Sequence, residues 1–151
     1  AGTGHIGSNA LVSLAMSSGA ISPGNSAGTL SIGGLGVVGL HGGEIVMELG
    51  SQSDLITFSS LSDHLRGFGT TLRIVPVAGF SPTERYPIFS NVQNAGNLFA
   101  FAAITGVDPS LAPSVVYDGA LNSYVVTFVP TPGATALMML GGLLACRRRR
   151  A

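Results

Sequence analysis

The chain is 151 residues long, 46% hydrophobic and only 9% charged, with 22 glycines and no lysine. That length suits one domain and a tail, and the hydrophobic share argues against the polar, highly charged class of disordered proteins. The formal net charge is zero, but four of the seven arginines are Arg147, Arg148, Arg149 and Arg150; the other three stand against seven acids, a balance of −4 that argues against a nucleic-acid partner.

From residue 1 to about residue 60, short apolar runs alternate with glycine breaks. The runs are residues 10–16, 29–32, 36–40, 44–49 and 54–58. In 44–49 a period of two places Ile45, Met47 and Leu49 on one face and Glu44, Val46 and Glu48 on the other. Many short strands with such punctuation predict an all-β fold, and no window before residue 134 has the caps and period of a helix. From residue 70 the runs lengthen. Residues 71–77 set Leu72 and Ile74 against Thr71, Arg73 and Val75, and 86–89 and 97–104 are rich in aromatics. Residues 114–118 and 123–129, joined by Gly119-Ala120-Leu121-Asn122, predict an antiparallel pair. All three tyrosines and four of the seven phenylalanines fall between 86 and 129.

The end of the chain breaks with this pattern. Val129-Pro130-Thr131-Pro132-Gly133 cannot continue a ladder, because proline lacks an N–H and fixes φ. Residues 134–146 are then apolar apart from one threonine, with Cys146 as a small hydrophobe at their edge, and the four arginines follow. Alone the run is short of the roughly 20 residues that span a bilayer; extended back through 125–129, or with tilted flanks in a thin membrane, it reaches. An arginine cluster beside an apolar run stays cytoplasmic, so the expectation is one C-terminal transmembrane helix with the body outside. The single cysteine leaves no disulfide framework. The first residue is alanine and no leader precedes it, so the chain is expected to be the C-terminal part of a longer protein.

The order Pro-x-Pro, apolar run, arginine cluster over residues 129–150 resembles the PEP-CTERM sorting signal of bacterial surface proteins, with Thr131 where many members carry glutamate. The resemblance implies an exosortase-type membrane peptidase as partner, removal of the tail, and delivery to the cell surface or its exopolysaccharide. Ile21-Ser22-Pro23-Gly24-Asn25-Ser26-Ala27-Gly28-Thr29-Leu30 resembles the Pro-Gly-x-Ser-x-Gly-Thr-Leu turn of autotransporter-like passenger proteins, which are right-handed parallel β-helices. Gly42-Gly43 with Ile45, and Gly69-Thr70-Thr71-Leu72 with Gly79-Phe80, are similar to how those chains continue. The fold so implied is the terminal rungs of a β-helix (β-solenoid) over residues 1–60, a capping β module over 61–128 that covers the last edge, and the sorting tail over 129–150.

Several residues invite a chemical reading. Gly2-Thr3-Gly4-His5-Ile6-Gly7 has the spacing of a dinucleotide fingerprint, but no βαβ unit surrounds it, and its glycines read as turns. Ser62-Asp63-His64 holds the residue types of a triad, which requires convergence in space rather than adjacency, and reads as a polar loop. His41, Glu44 and Glu48 offer metal ligands, yet the two glutamates stand about 13 Å apart along a strand at ~3.3 Å per residue, too far for one ion. No metal and no cofactor is expected. Asp54, Asp63, Arg66 and Arg73 are the groups a polysaccharide lyase of this shape would need, but the acids are scattered, and no enzyme is expected. Tyr86, Tyr117 and Tyr124 are candidates for stacking sugars, against the commoner role of strand packing. The functional expectation is an exported surface or matrix protein with a structural or adhesive role, with an exopolysaccharide-binding module as the alternative.

Overall fold

The computed structural model describes residues 3–6, 14–24, 27–33, 37–59, 64–94 and 96–129. Thirteen strands lie among them: β1 (Thr3–Ile6), β2 (Leu14–Met16), β3 (Ala20–Ile21), β4 (Thr29–Ile32), β5 (Val37–Leu40), β6 (Glu44–Leu49), β7 (Leu55–Phe58), β8 (His64–Arg66), β9 (Thr71–Pro76), β10 (Tyr86–Ser90), β11 (Ala103–Thr105), β12 (Pro113–Asp118) and β13 (Ser123–Phe128). The helical segments among the described residues are two short 3₁₀ turns, Gly96–Leu98 and Pro109–Leu111. The described residues form an all-β structure, as their short glycine-punctuated runs predict.

The strands visit three sheets in rotation. β1, β4, β7 and β10 are parallel neighbours in the first, β2, β5 and β8 in the second, and β3, β6, β9 and β11 in the third. Each ladder step is one round of the three sheets. Thr3 lies beside Thr29 and Thr29 beside Leu55, 26 residues apart each time, and Ile45 lies beside Leu72, 27 residues on. In the fourth round a single parallel bridge, Gly67 to Phe99, takes the second-sheet place. β13 then pairs antiparallel with β10, and β12 antiparallel with β13, which bears out the pair expected across Gly119-Ala120-Leu121-Asn122. The register of β10 on β13 shifts between Pro87 and Phe89, where a proline has no N–H to give a ladder.

The period of two decides what is inside. In β6, Ile45, Met47 and Leu49 are buried and Glu44, Val46 and Glu48 half-buried; in β9, Leu72 and Ile74 are buried. Parallel register then stacks like on like: Leu30 on Ile56, Ile32 on Phe58, Ile45 on Leu72, Met47 on Ile74. All belong to one apolar cluster that β10 and β13 extend with Tyr86, Ile88, Phe89, Tyr124 and Val126. Fully burying each such side chain contributes about 1.5–3 kcal/mol, and no strand has enough of them to stand alone.

Two residues hold successive rounds together by other means. Asp54 has no exposed surface. Its carboxylate accepts from Gly28 N–H through Oδ1 and from Glu48 N–H through Oδ2, both at 2.8 Å, while its own N–H donates to Glu48 O at 2.8 Å. One side chain thus ties the approach to β4 and the end of β6 to the start of β7. Gly67 has φ +123°, and a Cβ there would collide with the carbonyl of Leu40 in the round below; only glycine fits that approach.

Three expectations are corrected. Residues 62–64 are not wholly a polar loop, since His64 opens β8, whose Leu65 is fully buried beside Val38. Residues 97–104 are not one strand: a 3₁₀ turn, the bridge at Phe99 and β11 share them, because the chain rounds a corner between two sheets there. Gly4 and His5 stand in β1 beside Leu30 and Ser31 rather than in a turn.

Candidate functional site

β10 and β13 carry Tyr86 and Tyr124 into the core, 3% and 6% exposed. The Tyr86 hydroxyl accepts from Ser81 N–H at 2.7 Å and donates to Ser81 O at 3.1 Å, closing the loop before the strand. Its ring stacks on Phe80 at 5.7 Å and meets Phe128 edge-on. Tyr124 meets Phe89, Phe99 and Tyr117 edge-on at 6.4, 5.4 and 5.2 Å. A pyranose needs an open ring face to stack on, and these two rings spend theirs on packing. The expectation of sugar stacking by Tyr86 and Tyr124 is therefore corrected to a core role. Tyr117 is half-buried, with its hydroxyl 3.2 Å from both Val92 O and Asn122 Oδ1.

Beside Tyr124 the corner of residues 99–104 stands off from β12 and β13, leaving a half-open cleft of about 200 Å³. Phe99, Phe101, Ala103, Ile104, Val115 and Tyr124 line it. Phe101 lies parallel to Phe89 at 6.2 Å and edge-on to Phe99 at 5.1 Å, so the wall is held by the core behind it. No ionisable group except the Tyr124 phenol is in the lining. The cleft can accept an apolar or ring-shaped group.

The remaining candidates are apart from it. Glu44 pairs with Arg73 at 2.9 Å on the surface of the third sheet. Asp54 is committed to backbone N–H groups, and Arg66 is exposed on β8. Among the described residues no three histidines, cysteines or carboxylates gather as a metal site would need. Asp108 caps the turn Pro109–Leu111. The Ser110 N–H, with help from the Ser110 hydroxyl, holds its carboxyl below the usual aspartate range.

Of the expected sorting motif, Val129 is described: it is 66% exposed and its N–H donates to Leu111 O at 3.0 Å. Pro130, Thr131, Pro132, Gly133 and Arg147, Arg148, Arg149 and Arg150 lie outside the described residues, as do Gly2, Gly7, Ser62 and Asp63. Among the described residues no helix is long and apolar enough to cross a membrane. No family model, curated protein or solved structure matches this chain.

Sequence reasoning missed Asp54 as a tie between rounds and the cleft beside Tyr124. A signal for the first was present: an aspartate immediately before an apolar run, in a chain with so few charges, is an expensive residue to bury without a purpose. The cleft left no such mark.

Proposed function

We propose that this chain is part of an exported cell-surface or extracellular-matrix protein with a structural or adhesive role, delivered by the sorting signal of residues 129–150. The observation that carries the proposal is the order of that segment: Pro130-Thr131-Pro132, fourteen apolar or small residues, then four arginines. In this reading residues 134–146 cross the membrane as a helix, Arg147 to Arg150 stay cytoplasmic, and an exosortase-type peptidase cuts near the prolines. The body belongs to the terminal rungs of a right-handed parallel β-helix, with β12 and β13 as its cap. Strands that rotate among three sheets in steps of between 24 and 33 residues support that architecture, the hand follows from the right-handed rule for parallel crossovers, and a cap protects the last edge from further pairing.

The test is protease shaving of intact cells that express the full chain or a chain ending at Val129. The proposal requires the full chain on the cell surface and the shortened one free in the medium. Surface retention of both would refute a sorting role for the tail.

The cleft favours a second reading, an exopolysaccharide-binding module, because its half-open wall offers the ring of Phe101. Retardation of the full chain on an exopolysaccharide gel, lost in Phe101→Ala, would support it, whereas unchanged migration would eliminate it.

A further inference from the structure

The end of the second sheet carries an outward face that adjoins the cleft, whose lining includes Phe99 and Ala100. Arg66-Gly67-Phe68 runs alongside Leu98-Phe99-Ala100: Gly67 N–H donates to Leu98 O at 2.8 Å, Ala100 N–H donates to Gly67 O at 3.0 Å, and Gly67 and Phe99 form a parallel bridge. Gly67 and Phe99 are buried, so their neighbours on either side face outward, and Arg66, Phe68, Leu98 and Ala100 are all exposed. Phe68 is 59% and Leu98 51% exposed. In the ladder below Arg66 stand Gly39 and then Ala15, which raise nothing taller than a methyl group beside the guanidinium.

The body's balance of −4 weighs against long-range attraction of any polyanion, so what this face fits is set by its one locally unpaired arginine. Among the described residues Arg73 pairs with Glu44 at 2.9 Å and Arg85 with Asp118 at 3.0 Å, while Arg66 has no ion pair. An arginine fork without a carboxylate stands next to an open phenyl face and an aliphatic side chain. The fork is shaped for two carboxylate oxygens, and the negative face of the ring attracts weakly positive C–H groups.

We propose that this face binds an acidic polysaccharide, with the C–H face of a hexuronate ring on Phe68 and Leu98 and its carboxylate accepting from Arg66. A neutral sugar lacks the carboxylate, and a linear polyanion such as polyglutamate lacks the ring face. The proposal rests on the matrix role above and names its partner chemistry, yet binding in solution does not depend on how the tail is processed, so each is refuted without the other.

The experiment titrates the purified full chain, in detergent, with an oligogalacturonate, and compares a neutral galactose oligomer of equal length and polyglutamate. Oligogalacturonate is expected to bind, with the two comparators at least about tenfold weaker. Arg66→Gln and Phe68→Leu should each weaken its Kd by about tenfold, with unchanged circular dichroism because both positions are exposed. Phe68→Leu keeps apolar bulk and removes only the ring face, so a merely structural role would not move the Kd. No binding of oligogalacturonate, parent-like affinity in either variant, or equal affinity for polyglutamate would overturn the proposal.

Discussion

Replacing Asp54 by alanine removes two charge-assisted hydrogen bonds at once and leaves Gly28 N–H and Glu48 N–H without their acceptor. Both bonds are 2.8 Å, and Asp54 itself has no exposed surface. A hydrogen bond to a charged group contributes about 1.5–3 kcal/mol, and an orphaned buried donor forfeits most of that. The Gly28 donor is buried and belongs at the upper end of the range. The Glu48 donor is partly buried, so water recovers some of the loss there. The expected cost is about 3–5 kcal/mol, a large share of the 5–15 kcal/mol that holds an ordinary domain together. Asp54→Asn keeps one acceptor and turns an amide N–H toward the other donor, so its cost should be about half. Urea unfolding of the full chain, followed by far-ultraviolet circular dichroism, measures both values. Were Asp54→Ala to come within about 1 kcal/mol of the parent, the idea that one carboxylate joins successive rounds would be wrong.

The remaining predictions concern the core, one glycine and one cap. Gly67→Ala should lose at least about 2–3 kcal/mol, because φ +123° disfavours a side chain and its Cβ would meet the Leu40 carbonyl; an equally stable variant refutes that account. Phe89→Ala should cost about 3–5 kcal/mol in the same unfolding assay, since Phe89 is 1% exposed and touches the rings of Phe58, Phe99, Phe101 and Tyr124; a loss under 1 kcal/mol would show that the aromatic cluster is not structural. The Asp108 carboxyl should titrate below the usual aspartate range when followed by carbon-13 NMR, because Ser110 stabilises its charged form. Since the folded value is the lower one, that contribution is complete above the unfolded value and fades as pH falls through the folded one; an ordinary or raised midpoint contradicts it.

The fold was readable wherever a strand buries one face. Ile45, Met47 and Leu49, or Leu72 and Ile74, alternate with polar or half-buried neighbours, and the alternation alone places them inside. β8 was not readable, because its one apolar residue, Leu65, stands between a histidine and an arginine and makes no alternation by itself. The aromatic run of 97–104 looks like a strand because Phe99 and Phe101 sit two residues apart; the structure uses that spacing at a corner, where both rings reach Phe89. The tyrosines show the same limit from the side of function. Residue type says that Tyr86 and Tyr124 can stack on a sugar, but only the neighbouring rings of Phe80, Phe128, Phe89 and Phe99 show that their faces are occupied. Asp54 meets its partner Gly28 across 26 residues, a distance in sequence over which no local pattern carries information.

The proposed delivery of this protein stands or falls on the fate of its last twenty residues. The most direct measurement is the mass of the C-terminal peptide of the mature protein, recovered from the surface fraction of cells that make it. Sorting and release predict a terminus between Pro130 and Ala134, with Arg147, Arg148, Arg149 and Arg150 absent. An intact tail ending at Ala151, found in the membrane fraction, would contradict processing and reduce the segment to a plain anchor.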